Sequence, residues 1–331
     1  MGSKWQDNDW GTDWRRKQKE ETKKESQAWS RSRLYPGEDM AISDHIVPGP
    51  GFAHDWEQKA YDTFSRDGFV ILTDVLTSEQ CSELLRTCES VASQIVDEKM
   101  KGNRGQGRYS FGVASSTGST LHIEEFAKHV LDSAGFMLHP LLKRIFAQTE
   151  TYDNSYYSGG HICCGGGGDF VLGGVKENQD LHADLVVKKD QDMLLPPPMV
   201  IANFSVQEIT SENGPMRIVP GSQLTRGELP EQEAWWQSWL CPLPAGAAIV
   251  RDPRTMHSGT RNLTNKTRYL PSVEYVSSGF RATNRVDCFP HRISLPLKYY
   301  ERLRPEMKTL CAEIVDKYGS LDVCPPYFTR S

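Results

Sequence analysis

The tripeptide His182-Ala183-Asp184, with a second histidine far downstream at 257, constrains this chain more than any other feature. Side chains alternate along a strand, so His182 and Asp184 share one face of it. His257 can join them only if another strand is brought alongside. Two imidazoles and one carboxylate on one side of an ion leave positions free for a cosubstrate and oxygen. Arg268 follows His257 by eleven residues. Its planar guanidinium can take a cosubstrate carboxylate through two parallel hydrogen bonds. Each piece alone has a plainer explanation: a surface His-Asp pair, a hydrogen-bonded core histidine, an arginine buried against Glu274 or Asp252.

The surrounding segments say what kind of sheet would hold these residues. From Leu181 onward the elements are short, β-rich and punctuated by turns. They run through Pro196-Pro197-Pro198, Met199 to Val206, Asn213-Gly214, Met216 to Val219, Pro220-Gly221-Ser222 and Ala245 to Val250, then a strand ending near His257 and another from Arg268 to Val276. Strands this short at such spacing suit two antiparallel sheets packed face to face. Helices are expected upstream. Asp55 to Arg66 stops at Asp67-Gly68 before the buried strand Phe69-Val70-Ile71-Leu72. Thr77-Ser78-Glu79-Gln80 is a capping box ahead of an apolar stripe on Leu84, Leu85, Cys88, Val91, Ala92 and Ile95. Leu121 to Ala147 reads as two helical pieces meeting near Gly135 and Pro140, and Tyr152 to Ile162 as an edge strand. The run from Cys163 to Asp169, with four consecutive glycines, reads as a flexible connection at the site's mouth, a candidate lid. Glu228 to Leu240, carrying Trp235, Trp236 and Trp239, and Pro305 to Tyr318 read as further helices.

Taken together, Asp67 to Leu72, Gln179 to Asp184, Asn213 to Ser222, and Arg251 to Thr260 continuing to Arg268 resemble, in order and spacing, the phytanoyl-CoA dioxygenase family of Fe(II)- and 2-oxoglutarate-dependent oxygenases. The resemblance covers residues 55–290. It implies a chain that is mainly β with flanking helices (α+β), built on a double-stranded β-helix, the cupin-like jelly roll. It implies that His182, Asp184 and His257 hold Fe(II), with 2-oxoglutarate and O2 as cosubstrates. Arg268 would fix the far carboxylate of 2-oxoglutarate, and the Asn203 amide its C1 carboxylate. Arg108, in a glycine-rich loop, is a candidate contact for substrate or cosubstrate. Many members carry Ser two residues after the second histidine. Gly259 stands there in this chain, flanked by Ser258 and Thr260, and Thr260 matches a branch of the family. Gln179 would contact substrate or pair with backbone. Halogenating relatives replace the metal-binding carboxylate with a small residue, so Asp184 implies hydroxylation of an unactivated C–H bond, or a related oxidation, with release of succinate and CO2. The competing reading is a jelly roll that binds metal or ligand without turnover.

Composition bounds the rest. At 331 residues with 38% apolar content the chain can build a sizeable core. Residues 1–45 are charged and poor in aliphatics, so they are expected to be a disordered tail; Trp5, Trp10, Trp14 and Trp29 would be its only anchors for a partner. Residues 46–331 are expected to form a single oxygenase domain, with a jelly-roll core at about 150–280 and helical support at 54–148 and 299–318. A net charge of −5 gives no reason to expect nucleic acid, and no apolar run is long enough to span a membrane. Without a signal peptide the chain reads as cytoplasmic, with an organelle left open, and its eight cysteines as reduced thiols. Vicinal Cys163-Cys164 beside His161 lacks a fourth zinc ligand. The substrate is expected to be a small metabolite or lipid-like molecule, although Lys188, Lys189 and Arg226 could serve an acyl-CoA. Oligomeric state is open, with a monomer the simpler case.

Overall fold

The computed structural model describes residues 45–49, 54–96, 99–114, 118–147, 160–186, 197–225, 231–278, 293–319 and 321. The chain divides into units 1–39 and 40–331. The first unit, and with it the tryptophan-bearing tail, lies outside the described residues. His45, expected at the end of that tail, belongs to the folded part: it is buried, stacks on Phe69 at 4.7 Å and meets Asp67 at 2.8 Å.

Ten strands build the core: β1 (Ile46–Val47), β2 (Phe69–Leu72), β3 (Arg108–Ser110), β4 (His161–Val171), β5 (Met199–Phe204), β6 (Met216–Ile218), β7 (Trp239–Cys241), β8 (Ala248–Arg251), β9 (His257–Gly259) and β10 (Arg268–Ser277). Seven of them form one sheet in the order β1-β2-β8-β5-β10-β4-β3, antiparallel except for the β1-β2 pair. The smaller sheet is β7-β6-β9. The two face each other across an apolar layer in which Phe69, Ile71, Ile249 and Leu270 of the large sheet meet Ile218 and Cys241 of the small one, with Ile209 and Leu243 beside them. This is the expected cupin-like jelly roll.

Helices cover the other face of the large sheet. Helix α1 (Trp56–Asp67) ends where Gly68 takes a left-handed conformation at φ 80. Helix α2 (Ser78–Ile95) opens with both arms of the Thr77/Gln80 capping box formed. Its stripe of Leu84, Cys88, Val91 and Ala92 is buried against the sheet, while Leu85 and Ile95 lie half-buried at the rim. A π-helical stretch (Phe126–Ala134) runs into α3 (Gly135–Ala147), which continues through Pro140. These helices pack on Val70, Leu72, Val200, Ala202, Phe204, Val250 and Val273. Among the described residues no helix is long and apolar enough to cross a membrane.

Three expectations need correction. The glycine run is not a connection or a lid but the middle of β4, a strand paired with β10 along its length and with β3 at 169–171; residues 152–159 of the expected edge strand lie outside the described residues. Gly168 is required there: its φ is +100, and a Cβ would stand 2.2 Å from the Leu270 carbonyl oxygen. Cys163 and Cys164 point to opposite faces of the sheet, one into the helix-covered core and one into the small cluster with Met199, Ile201 and Val276. They therefore share no site. The tryptophan segment is a shorter helix, α4 (Glu231–Gln237), followed by β7. Near the C-terminus, α5 (Leu297–Tyr300) precedes α6 (Pro305–Cys311), and the chain leaves α6 to pair β11 (Leu295–Pro296) with β12 (Val315–Asp316). Tyr318, expected on the buried face, is 97% exposed.

Candidate metal centre

The segment carrying the first two candidate ligands runs antiparallel to the one carrying the third. Gln179 N–H donates to the Gly259 carbonyl, and His182 and His257 exchange both backbone hydrogen bonds at 2.9 and 2.8 Å. That exchange sets the two residues directly opposite each other, with ring centroids 4.5 Å apart. Each ring is oriented from behind. His182 Nδ1 lies 2.9 Å from the Asp180 carbonyl and His257 Nδ1 3.0 Å from that of Thr255. A carbonyl can only accept, so each Nδ1 carries a proton and Nε2 is the ring atom each histidine has for a metal.

Asp184 completes the cluster, 3.7 Å from His182 Nε2 and 3.5 Å from His257 Nε2. One atom from each residue lies within 4.8 Å of the others. Burial drives the His257 pKa down to about 3, with Arg251 adding to the effect. Burial opposes the charge on Asp184, but His257, Arg251 and His182 together hold its carboxyl below the usual carboxylate range. Two neutral imidazoles and a carboxylate are the protonation states a divalent metal requires. The donor set fits Fe(II).

The large sheet faces this cluster with Asn203 on β5 and Arg251 on β8. Arg251 Nη2 donates to Asp184 Oδ2 at 2.8 Å, and its Nε to Asn203 Oδ1 at 3.3 Å. Arg251 was not singled out from the sequence, although a signal existed: Ile249 faces the core, so Arg251, two residues on, is an inward charge that needs a partner.

Farther along the same face, Val171 of β4 lies between Arg108 of β3 and Arg268 of β10 in one cross-strand row. Arg268 is 2% exposed; its Nε donates to the Gly214 carbonyl at 2.9 Å and its Nη1 to Asp169 at 2.6 Å. The acid beside it is thus neither Glu274 nor Asp252, and Asp252 is paired with Arg254. Arg108 Nη2 donates to the carbonyls of Glu177 and Thr260. Burial and the nearby Arg268 lower the Arg108 pKa to about 10, against the pull of Asp169.

Both hydroxyls flanking Gly259 donate to backbone carbonyls. Thr260 Oγ1 donates to the Pro215 carbonyl at 2.7 Å and Ser258 Oγ to that of Gln179 at 2.6 Å. A side chain at 259 would find its place taken, with Gln179 Oε1 2.4 Å and Arg108 Nη1 2.9 Å from the Cβ position. Gln179 accepts from the Gly259 N–H, the backbone role among the two considered. Lys188, Lys189 and Arg226 lie outside the described residues.

No curated protein matches the chain. Among solved structures it is similar to AviO1 from Streptomyces viridochromogenes Tue57 (17% identity, TM-score 0.48, covering 68% of this chain and 97% of that one). It is likewise similar to the non-heme alpha ketoglutarate dependent carbocyclase SnoK from nogalamycin biosynthesis (18%, TM-score 0.48, 67% and 84%). A third such structure is EctD from S. alaskensis (15%, TM-score 0.47, 75% and 85%). The profile of the phytanoyl-CoA dioxygenase (PhyH) family matches residues 64–270, and the chain belongs to this family of Fe(II)- and 2-oxoglutarate-dependent oxygenases.

Proposed function

We propose that His182, Asp184 and His257 hold the iron, that Arg268 and Arg108 receive the far carboxylate of 2-oxoglutarate, and that the enzyme hydroxylates an unactivated C–H bond of a small metabolite or lipid-like substrate. The observation that carries the reading is the convergence of three ligand atoms within 4.8 Å, with both imidazoles turned by carbonyls to present Nε2. When bound, iron and 2-oxoglutarate supply the oxidising chemistry, with succinate and CO2 as by-products.

The chain's own residues do the placing. Arg108 and Arg268 bring two positive charges to an inward-facing row, and Asp169 offsets one of them. One further carboxylate balances that end, which is what a dicarboxylate cosubstrate contributes there. Thr260 also steadies the site: its hydroxyl bond to Pro215 and its carbonyl bond to Arg108 hold the strand after His257 in place. Asn203 offers an amide to the C1 carboxylate. Met199, Ile201, Val276 and Cys164 make an apolar patch on the same face, with Ile201 directly opposite Arg251, and this supports a weakly polar substrate. Residues 45 onward act as one oxygenase domain in this reading.

The test is anaerobic titration of Fe(II) and 2-oxoglutarate, followed by the visible charge-transfer band of the chelate, and then succinate release in air. Wild type should give the band and His182→Ala should not. Arg268→Ala should need about 10- to 100-fold more cosubstrate, the loss typical of removing a charge-assisted pair. Iron-bound protein with neither band nor succinate would instead support a non-catalytic jelly roll.

A further inference from the structure

Arg251 bonds directly to Asp184 of the triad, and the proposed chemistry does not use it. Its position looks unfavourable at first. The guanidinium is buried beside a site meant for a divalent cation, where like charges repel in a weakly screened environment. Its Nη1 is buried with no hydrogen-bond partner. A fold that keeps an arginine here must gain from the contacts it makes.

Those contacts are two, and both end on residues at the centre. Nη2 bonds Asp184 Oδ2 at 2.8 Å. A carboxylate free to turn can offer both oxygens to one cation and fill a position that cosubstrate or oxygen needs. Oδ2, 3.5 Å from His257 Nε2, has one lone pair taken up by Arg251, while Oδ1, 3.7 Å from His182 Nε2, is the less engaged oxygen for a metal. The second contact runs from Nε to Asn203 Oδ1 at 3.3 Å. An amide has one accepting and one donating end, and a guanidinium can only donate. Arg251 therefore decides which way the Asn203 amide points, and turns its Nδ2 away from the arginine as the donating end.

We propose that Arg251 is a positioning residue that presets two neighbours of the metal at once: it fixes the turn of the Asp184 carboxylate, leaving Oδ1 the less engaged oxygen, and turns the Asn203 amide to donate to the cosubstrate carboxylate. The proposal rests on the metal centre proposed above. It differs from a plain tie between the two sheets, which would affect folding but leave binding unchanged.

The experiment uses the full chain stripped of metal and loaded with Co(II), so that binding is read without turnover. Co(II) affinity, 2-oxoglutarate affinity of the Co(II) protein and thermal melting are measured for wild type, Arg251→Lys, Arg251→Gln, Asn203→Ala, the Arg251→Lys/Asn203→Ala double variant and His182→Ala. Lysine keeps the charge but gathers its donors on one nitrogen and cannot span Asp184 and Asn203 as Nη2 and Nε do, so a change in Arg251→Lys reports orientation. It should bind Co(II) about tenfold more weakly, the low end of what outer-shell ligand partners contribute. It should also bind 2-oxoglutarate several-fold more weakly while melting close to wild type. Asn203→Ala should weaken 2-oxoglutarate alone, and the double variant should bind it no worse than Arg251→Lys.

Arg251→Lys binding both ligands within twofold of wild type would overturn the proposal, as would losses that add in the double variant. If the lysine variant does not fold, Arg251→Gln, which keeps a donor for only one neighbour, is read by the same criteria. His182→Ala separates the two levels. Loss of Co(II) there with Arg251→Lys unchanged removes only the role of Arg251; retention of Co(II) in His182→Ala removes the metal centre and this inference with it.

Discussion

At the scale of single residues, the three candidate ligands were singled out by family spacing; the strand expected to set His182 and Asp184 on one face is a single bridge at His182 followed by a bend at Asp184. Asp169 was not singled out, because it ends a run of glycines, and residues without side chains show no alternation from which to read an inward face. Its contact with Arg268 carries a prediction with two signs. Asp169→Asn removes the negative charge that partly neutralises the Arg268 end. Affinity for 2-oxoglutarate should rise several-fold, while the ligand-free protein should melt lower because a buried guanidinium loses its ion partner. A variant that binds 2-oxoglutarate more weakly would show that Asp169 helps build the anchor. A second residue sets the response to acid. His161, buried on the helix-covered face and stacked on Phe146, has its pKa driven by burial to about 3. In the unfolded chain it takes a proton at about 6.5, so below that pH the unfolded state binds more protons than the folded one and stability falls with pH. By pH 5 this amounts to about 2 kcal/mol for the one residue. Melting of His161→Phe should therefore be less sensitive than wild type to a change from pH 7.5 to pH 5, and equal slopes would show that His161 ionises in the native state.

Whole elements were read well where local chemistry marks an end and poorly where it does not. Helix α2 is bounded by a capping box and α1 by Gly68, and both stand where the sequence puts them. The last helix is shorter than its apolar spacing suggests, since Ile314 and Val315 are buried from β12 and the turn before it. Apolar spacing records burial but does not distinguish a helix from a strand over so few residues. Strand β4 is the instructive case. Glycine weakens strands in general, yet here the ladder with β3 and β10 supplies the order that side chains do not. Gly168→Ala should consequently destabilise the fold by about 1–2 kcal/mol or more, because alanine is strained at that φ and its methyl meets the Leu270 carbonyl. A melting temperature equal to wild type would mean that the ladder can shift locally to relieve the contact.

Across the whole molecule, the site is assembled from two sheets that the sequence could count but not dock. Strand patterns indicate how many elements there are and which face of each is apolar. Which arginine reaches which carbonyl depends on the crossing of the sheets, and single-sequence patterns carry no term for it. The link between the two histidines has a consequence for how the centre opens. His182 and His257 exchange both of their backbone bonds, so neither amide proton can reach water until the segments part. Amide hydrogen exchange at these two positions should therefore share a single opening event, in which the proposed iron site comes apart as the two segments separate. Adding Co(II) should slow both amides by the same factor and leave Val273, in the middle of the large sheet, unchanged. Unequal slowing would mean that one histidine lets go of the metal without the other.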